Sequence, residues 1–537
     1  MSVQRRPVKS KAKRKVAFPK DWATMVQVGP LEEGELAQLQ RAARTDGDAD
    51  EVFHPDLHQM APERVPAMHH NLPFILDDLK TETSQKQLST AQNVMKSVGQ
   101  PFVPPLDKAT HVEFLLSPLD GGLSGGFVGL DASRPWLLYW CTNALSLLGE
   151  DVGVYNDRAI SSLKPLQHPC GGFGGGNGQA PHVAAAYASI LTLAITSYHA
   201  SKGLPDNERL AVYADSFAWI DRGKLLRWLR KIKLPNGGFK VNEGGEEDVR
   251  AGYCALVVLA LLGYDEEELR GDISLGELPL LDGVAEYFKS CQTWEGGIGA
   301  KPNAEAHGGY AFCVLAALCL LGDPGEALGK NIDLDRLTSW LSARQYAPEG
   351  GFSGRTNKLV DGCYSTWVGG CWSLVEAAAN AIESDKKSIK TNVGDLWSRK
   401  ALIRYILTCC QGPNGGLRDK PGIRPDYYHS NYVLLGLSAA QYYYYYDSSS
   451  VQSPTLTSSP FRHGYRWKSS KNVPKPTRND GTGGGWLEGL VSDESDRVGV
   501  QHPLFNIPLG AEGQLQSWWE WFSDVTDVDA ISGDLEN

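Results

Sequence analysis

No Cys-x-x-Cys pair occurs anywhere in the 537 residues, so nothing matches the ligand spacing of a zinc finger. No apolar core follows the basic opening stretch MSVQRRPVKSKAKRKVAF, so no signal peptide is expected there. The longest apolar run, Tyr253–Gly263, is too short to span a bilayer. A P-loop and a dinucleotide fingerprint are also missing. GGFGGGNGQ, at Gly171–Gln179, is glycine-rich but follows no strand pattern, which argues against a nucleotide site. Neither DDxxD nor DxDD is present, and a terpene cyclase would need such an acidic motif. A net charge of −11 excludes bulk electrostatic binding of nucleic acid.

The residues that are present suit a large packed core. Hydrophobic residues make up 42% of the chain, and it carries 15 Trp. The ten Cys, among them Cys254, Cys313, Cys319 and Cys371, fall in apolar helical patterns. That usage fits a reduced, cytoplasmic protein. Residues 1–20 read as a basic disordered tail, 21–441 as the main domain and 442–500 as a Ser-, Gly- and Pro-rich insertion. Residues 501–537 read as a return to the body with a short helix and an acidic tail.

One motif repeats. Gly-Gly followed by an aromatic or aliphatic residue occurs at Gly125, Gly171, Gly237, Gly296, Gly350 and Gly415. Ten to sixteen residues later an apolar stretch begins, and it often ends in glycine, as at Gly149, Gly263 and Gly322. These stretches are apolar nearly all round, the mark of a helix buried on every side. Amphipathic segments such as GKLLRWLRKIKL lie between them. The predicted fold is all-α, about six helical hairpins with an outer and an inner helix each. Stacked, they make either an open solenoid or a closed α/α barrel. The lack of a polar face on the inner helices favours the barrel.

The register of the repeat brings distant residues to one end. Eleven positions after each first glycine stand Trp136, His182, Asp248, His307, Asp361 and Asp426. Two to three positions further are Tyr139, Arg250, Tyr310, Cys363, Tyr364, Tyr428 and His429. Inner helices start here, so their N-termini suit an anion. Singly, Asp361 reads as an N-cap, Cys363 as a core thiol and His429 as a buried imidazole. Together they match a zinc site of three ligands with an open fourth position. Arg250, His307, Arg355 and Lys358 each read singly as a solvated cation or a partner of Asp or Glu; together near one rim, with Tyr364, they look like a diphosphate clamp. Trp136, Trp140, Tyr187, Tyr253, Tyr310 and Trp367 can line an apolar cavity or simply fill core.

Several blocks carry a family resemblance: SRPWLLYW, GGFGGGNGQAPH, GGEEDVRAGYC, EAHGGYAFC, GRTNKLVDGCYSTW and DKPGIRPDYYHSNY. The chain resembles the β subunits of protein prenyltransferases, most closely the farnesyltransferase branch, over roughly Phe114–Ala440, with a weaker echo at HPLFNI. The resemblance implies an α/α barrel held against a helical-repeat α subunit. It implies transfer of farnesyl from farnesyl diphosphate to the Cys of C-terminal CaaX sequences, as on Ras-like GTPases. It assigns Asp361, Cys363 and His429 to one Zn²⁺, and Asp419 to Mg²⁺. It assigns His307, Arg355, Lys358 and Tyr364 to the diphosphate, with Arg250, Gly309 and Tyr310 close by. Trp136, Trp140, His182, Tyr253, Trp367 and Tyr428 would meet the isoprenoid and peptide. Thr366, Ala184–Ala186, Ile423 and Pro425 depart from the family pattern around the peptide pocket. A type I geranylgeranyltransferase β subunit is the alternative; Trp136 and Asp419 argue against it.

Overall fold

The computed structural model describes His69 and residues 72–73, 79–100, 102–123, 125–272, 274, 276–385, 396–450, 452–471 and 494–533. The basic tail at 1–20 lies outside them, as do the GTGGGW part of the insertion and the last four residues.

Twelve helices alternate between an outer and an inner layer. They are α1 Lys108–Asp120, α2 Arg134–Leu148, α3 Asn156–Leu163, α4 Val183–Ala200, α5 Arg222–Ile232 and α6 Val249–Leu261. There follow α7 Val284–Ser290, α8 Gly308–Leu321, α9 Leu334–Ser342, α10 Gly369–Asp385, α11 Arg399–Tyr405 and α12 Tyr427–Gln441. Even-numbered helices form the inner ring. Each packs on the next, and α12 packs back on α2, so the ring is closed. The outer helices α5 and α9 bury only one face, through Leu225, Trp228, Leu229 and Ile232, and through Leu337, Trp340 and Leu341. The inner α6 and α8 are buried almost throughout. Helix α4 is long and apolar enough to cross a membrane, yet 83% of it is buried inside the protein.

A recurring clamp joins the units. The first glycines of five turns, Gly171, Gly237, Gly296, Gly350 and Gly415, all have positive φ. A Cβ at 171, 237, 296 or 415 would lie within 2.3 Å of a backbone atom of the outer helix, or its leading turn, that follows. Over the second glycine sits one aromatic ring of that helix: Trp228, Tyr287, Trp340, Tyr405 and, at the closure, Phe114. A glutamine ties turn to helix. The Gln292 amide donates to Gly296 O and Asp333 O, both at 3.0 Å, and accepts from Asp333 N at 2.8 Å. Gln167 and Gln345 repeat this arrangement. Gln411 carries it across the seam, accepting from Asp107 N, the N-cap of α1.

Three parts of the sequence reading need correction. Gly125 begins a 3-10 segment, Gly125–Ser133, with open space beside it and no positive φ, so it is not a sixth turn. The segment from 442, read as the start of a Ser-, Gly- and Pro-rich insertion, opens instead with a run of five tyrosines that forms strand β1, Tyr442–Tyr446, paired antiparallel with β2, Trp467–Lys471. β-Propensity of consecutive aromatics outweighs their monotony. The final helix is not short: it runs from Ala511 to Gly533, through much of what reads as an acidic tail.

The ring has a floor. Residues 502–507 enter the end opposite the inner-helix N-termini, with Leu504, Phe505 and Ile507 fully buried. The hydroxyls of Tyr139 and Tyr253 donate to Asn506 O and Leu504 O at 2.8 and 2.7 Å. His502 fixes this loop: one ring nitrogen accepts from Leu504 N and the other lies 2.9 Å from Gly464 O.

One clamp is chemically odd. Lys233 replaces glutamine in the second turn, donating to Gly237 O and Asp282 O at 2.8 and 2.9 Å. Its ammonium is buried, and burial pushes it down from 10.5 to about 7. Between those values the unfolded chain holds a proton that the folded chain lacks, so this group makes stability rise with pH. Lys233→Gln should raise stability by about 1–2 kcal/mol at pH 7, and by less as pH approaches 10. Thermal melts of both proteins across that range check it.

Candidate active site

Four inner helices, α4, α6, α8 and α12, begin on a side chain that accepts a backbone N–H, and the turn leading into α10 uses Asp361 in the same way. His182 caps Ala184 N at 3.1 Å, Asp248 caps Arg250 N at 2.8 Å, and His307 caps Gly309 N at 2.9 Å. Asp361 accepts from Cys363 N at 2.9 Å, and Asp426 from His429 N at 2.7 Å. These are the residues eleven positions past each turn glycine, so the expected common rim exists. Trp136 differs: it lies inside the first turn of α2, after the start of the helix.

Asp361, Cys363 and His429 come together there. Their ligand-type atoms lie within 4.8 Å of one another, and Cys363 is buried. The chain makes this corner by a tight turn: Tyr364 N donates to Asp361 O and Ser365 N to Gly362 O. Gly362 leaves no room for a side chain, since a Cβ would lie 2.7 Å from Arg418 O. Nε2 of His429 is 3.2 Å from Asp361 Oδ1, yet it is buried and aligned with no hydrogen-bond acceptor among the described residues. Its Nδ1 lies 2.7 Å from Asp426 Oδ2, which turns Nε2 toward the cluster. Burial opposes charge on the His429 ring, but Asp361 and Asp426 outweigh it and push it up to about 10. Burial and the nearby Asp361 raise the Cys363 thiol well above its ordinary range. The corner therefore favours positive charge. An oxygen, a nitrogen and a sulfur donor converge on it, so the group can hold a metal ion.

Beside it lies a basic patch. Tyr364 OH is 3.0 Å from His307 Nε2. Burial, then the positive charges of Arg355 and Arg250, lower His307 to about 4, so its ring is neutral. Both Asp248 oxygens hold Arg250 Nε at 3.0 Å, and its guanidinium stands 5.3 Å over the Tyr310 ring. Arg355 is paired with Glu305 at 2.7 Å. Lys358 has an exposed side chain, and its carbonyl accepts from Tyr346 OH at 2.8 Å. Gly309 keeps the start of α8 bare: a Cβ would meet only the His307 ring.

Inside the ring, aromatic side chains form a closed circuit with a member from each inner helix or its leading turn. Centroid distances run Trp140–Trp136 5.6 Å, Trp136–Tyr187 5.7 Å, Tyr187–Tyr253 5.6 Å, Tyr253–Phe312 5.9 Å and Phe312–Trp367 5.6 Å. Trp367 Nε1 then donates to Tyr428 OH at 3.0 Å, and Tyr428 returns to Trp140 at 5.6 Å. Trp136, Trp140, Trp367 and Tyr428 stay half-buried. Tyr253 is buried, with its hydroxyl on the floor loop.

Asp419 stands next to the metal-type cluster. Its carbonyl accepts from Gly362 N and from Tyr405 OH, each at 2.8 Å. Burial and then Asp361 raise its carboxyl to about 6. Oδ1 is buried without a partner among the described residues, while Oδ2 meets the Lys420 ammonium. That orphaned oxygen suits a second cation.

Several participants were not assigned a part from sequence. Asp426 orients His429, and its signal is the three-residue spacing at one helix start. Glu305 holds Arg355, and Phe312 completes the circuit at helical spacing from Gly308. Of the departures from the family pattern, Thr366 is buried with its hydroxyl on Tyr432 O, Ile423 is exposed, Pro425 is half-buried, and Ala185 and Ala186 are core.

Comparison with known proteins agrees with this geometry. Residues 106–507 match the family model described as the prenyltransferase alpha-alpha toroid domain. The protein farnesyltransferase subunit beta of Pyricularia oryzae is 41% identical over 472 residues, covering 85% of this chain and 84% of that one. That of Schizosaccharomyces pombe is 36% identical, covering 83% and 98%. The geranylgeranyl transferase type-1 subunit beta of Arabidopsis thaliana is 29% identical, covering 62% and 78%. A solved structure of Candida albicans protein geranylgeranyltransferase-I complexed with GGPP shares the fold, with a TM-score of 0.52 at 20% identity, covering 77% of this chain and 99% of that one. The chain thus belongs to the prenyltransferase alpha-alpha toroid family, among the relatives of the protein farnesyltransferase β subunits.

Proposed function

We propose that this chain is the β subunit of a cytoplasmic protein farnesyltransferase. It would work with a helical-repeat α subunit and move a farnesyl group from farnesyl diphosphate to the thiol of CaaX-terminated proteins. One observation carries the reading. A corner of three donor atoms, the paired cations Arg250 and Arg355 beside His307 and Tyr364, and a circuit of aromatic rings lie together in the ring.

Asp361, Cys363 and His429 would hold a Zn²⁺ ion, leaving the fourth position for the substrate thiol. When bound, zinc supplies the charge that makes this thiol a thiolate at neutral pH. His307, Tyr364, Arg355 and Lys358 would hold the diphosphate, with Arg250 and Tyr310 beside them. Their donors favour the charge that grows on the leaving oxygen. Neutral His307 suits this task as a hydrogen-bond donor rather than a proton source. Asp419 would place Mg²⁺ against the departing group. Trp136, Trp140, Tyr253, Trp367 and Tyr428 would sheathe the isoprenoid, and His182 would face the peptide tail.

The geranylgeranyl alternative rests on the same fold. Trp136 weighs against it, because its indole closes the circuit between α2 and α4 where a longer chain needs room.

Two measurements test this reading. In the heterodimer, Cys363→Ala should lower zinc content and farnesyl transfer about a hundredfold or more, while farnesyl diphosphate still binds. Full zinc occupancy with normal turnover would contradict the assignment. Trp136→Thr should open the cavity to one more isoprene unit, since each buried CH₂ is worth about 0.8 kcal/mol once space exists. Turnover with geranylgeranyl diphosphate should then rise relative to farnesyl diphosphate. Equal loss with both substrates, in step with a lower melting temperature, would mean that Trp136 only packs.

A further inference from the structure

The structure holds a cation on Asp419 already, and it belongs to the chain. Lys420 Nζ meets Asp419 Oδ2, and the two side chains are only 15% and 17% exposed. Neighbouring residues on an extended strand point apart; here a turn brings them together. Ile423 N donates to Lys420 O at 3.2 Å, and Gly422 takes a φ of +91°. Asn93, on the helix Glu82–Val98, ties this turn down by donating to Pro421 O at 2.9 Å. Asp419 itself cannot shift, because Gly362 N and Tyr405 OH hold its carbonyl. The pair is therefore built, and it lies beside the metal corner.

We propose that Lys420 is an internal competitor for the Asp419 carboxylate and sets how much divalent cation the site requires. The proposal rests on the reading that Asp419 holds Mg²⁺ beside a diphosphate. A dication takes full hold of Asp419 only while the ammonium is displaced. Its apparent affinity is the intrinsic one multiplied by the fraction of time Asp419 is free. A diphosphate arriving at the rim attracts Lys420 and frees the carboxylate, so anion and dication bind cooperatively. With no dication present, the ammonium neutralises Asp419 and spares the anion its repulsion. Lys420 thus leaves a basal activity that does not depend on added metal.

The test uses the zinc-loaded heterodimer carrying a phosphonate analogue of farnesyl diphosphate, with Mn²⁺ as a spectroscopic stand-in for Mg²⁺. Free Mn²⁺ is read by electron paramagnetic resonance. Lys420→Met should bind Mn²⁺ about threefold to tenfold more tightly than wild type, the range for losing one partly buried charge-assisted contact. Lys420→Gln should behave alike, and Lys420→Arg should return the wild-type value. Unchanged or weaker Mn²⁺ binding in both neutral variants, with analogue affinity retained, would overturn the proposal. Asp419→Asn separates the two ideas: if it binds Mn²⁺ as wild type does, the Asp419 reading itself falls. If it loses binding while Lys420→Met changes nothing, only the competitor falls.

Discussion

The ring depends on one close approach: a glycine turn pressed against the outer helix that follows. Only a residue without Cβ allows backbone contact at that distance. Once made, the contact leaves buried carbonyls and an N-cap N–H in need of partners, and one glutamine amide satisfies both kinds. An aromatic ring from the incoming helix fills the remaining space. Spacing and tilt between units follow from this joint, so the curvature that returns α12 to α2 follows too. The site follows in turn, because α4, α6, α8 and α12 start at one common distance beyond the joint, and Asp361 stands at the matching position before α10.

That common distance explains how helix-capping residues double as candidate site residues. A helix start needs an acceptor for its free N–H groups. Aspartate and histidine meet that need, and both keep a second donor atom. Asp361 accepts from Cys363 N with Oδ1, and that same oxygen lies 3.2 Å from His429 Nε2. Asp426 caps its helix and also holds the His429 ring. His307 caps with Nδ1 and offers Nε2 to Tyr364. Capping geometry thus sets the orientation of the site before any ligand arrives.

Much of this was legible in the sequence, for a physical reason. Glycine pairs and all-apolar helices have few alternative explanations, so the barrel and its common rim followed from spacing. The copy at Gly125 misled because the glycine pair was read alone. A true turn also has Gln, or Lys at 233, four or five residues before it, and position 121 is glycine. The tyrosine strand was obscured by its monotony, although consecutive aromatics favour extended chain. The pairing of Lys420 with Asp419 could not be read at all. Adjacent residues oppose one another in a strand, and only the turn at Pro421–Gly422 reverses that.

A closed ring has no first or last unit. In an open solenoid the end repeats fray, and partial structures persist as the array shortens. Here the outer helix beginning at Lys108 receives its glycine turn from Gly415, whose Cβ would strike Thr110 O. That contact joins residues about three hundred positions apart, so the entropy of a very long loop stands against it until nearly all units are in place. Folding should be cooperative to an unusual degree for a repeat protein. A nascent chain would hold an unsealed edge of α1 and α2 until the codons for the sixth inner helix have been read. The seam, rather than any single unit, is the point at which synthesis, folding and the meeting of Asp361, Cys363 and His429 become one event.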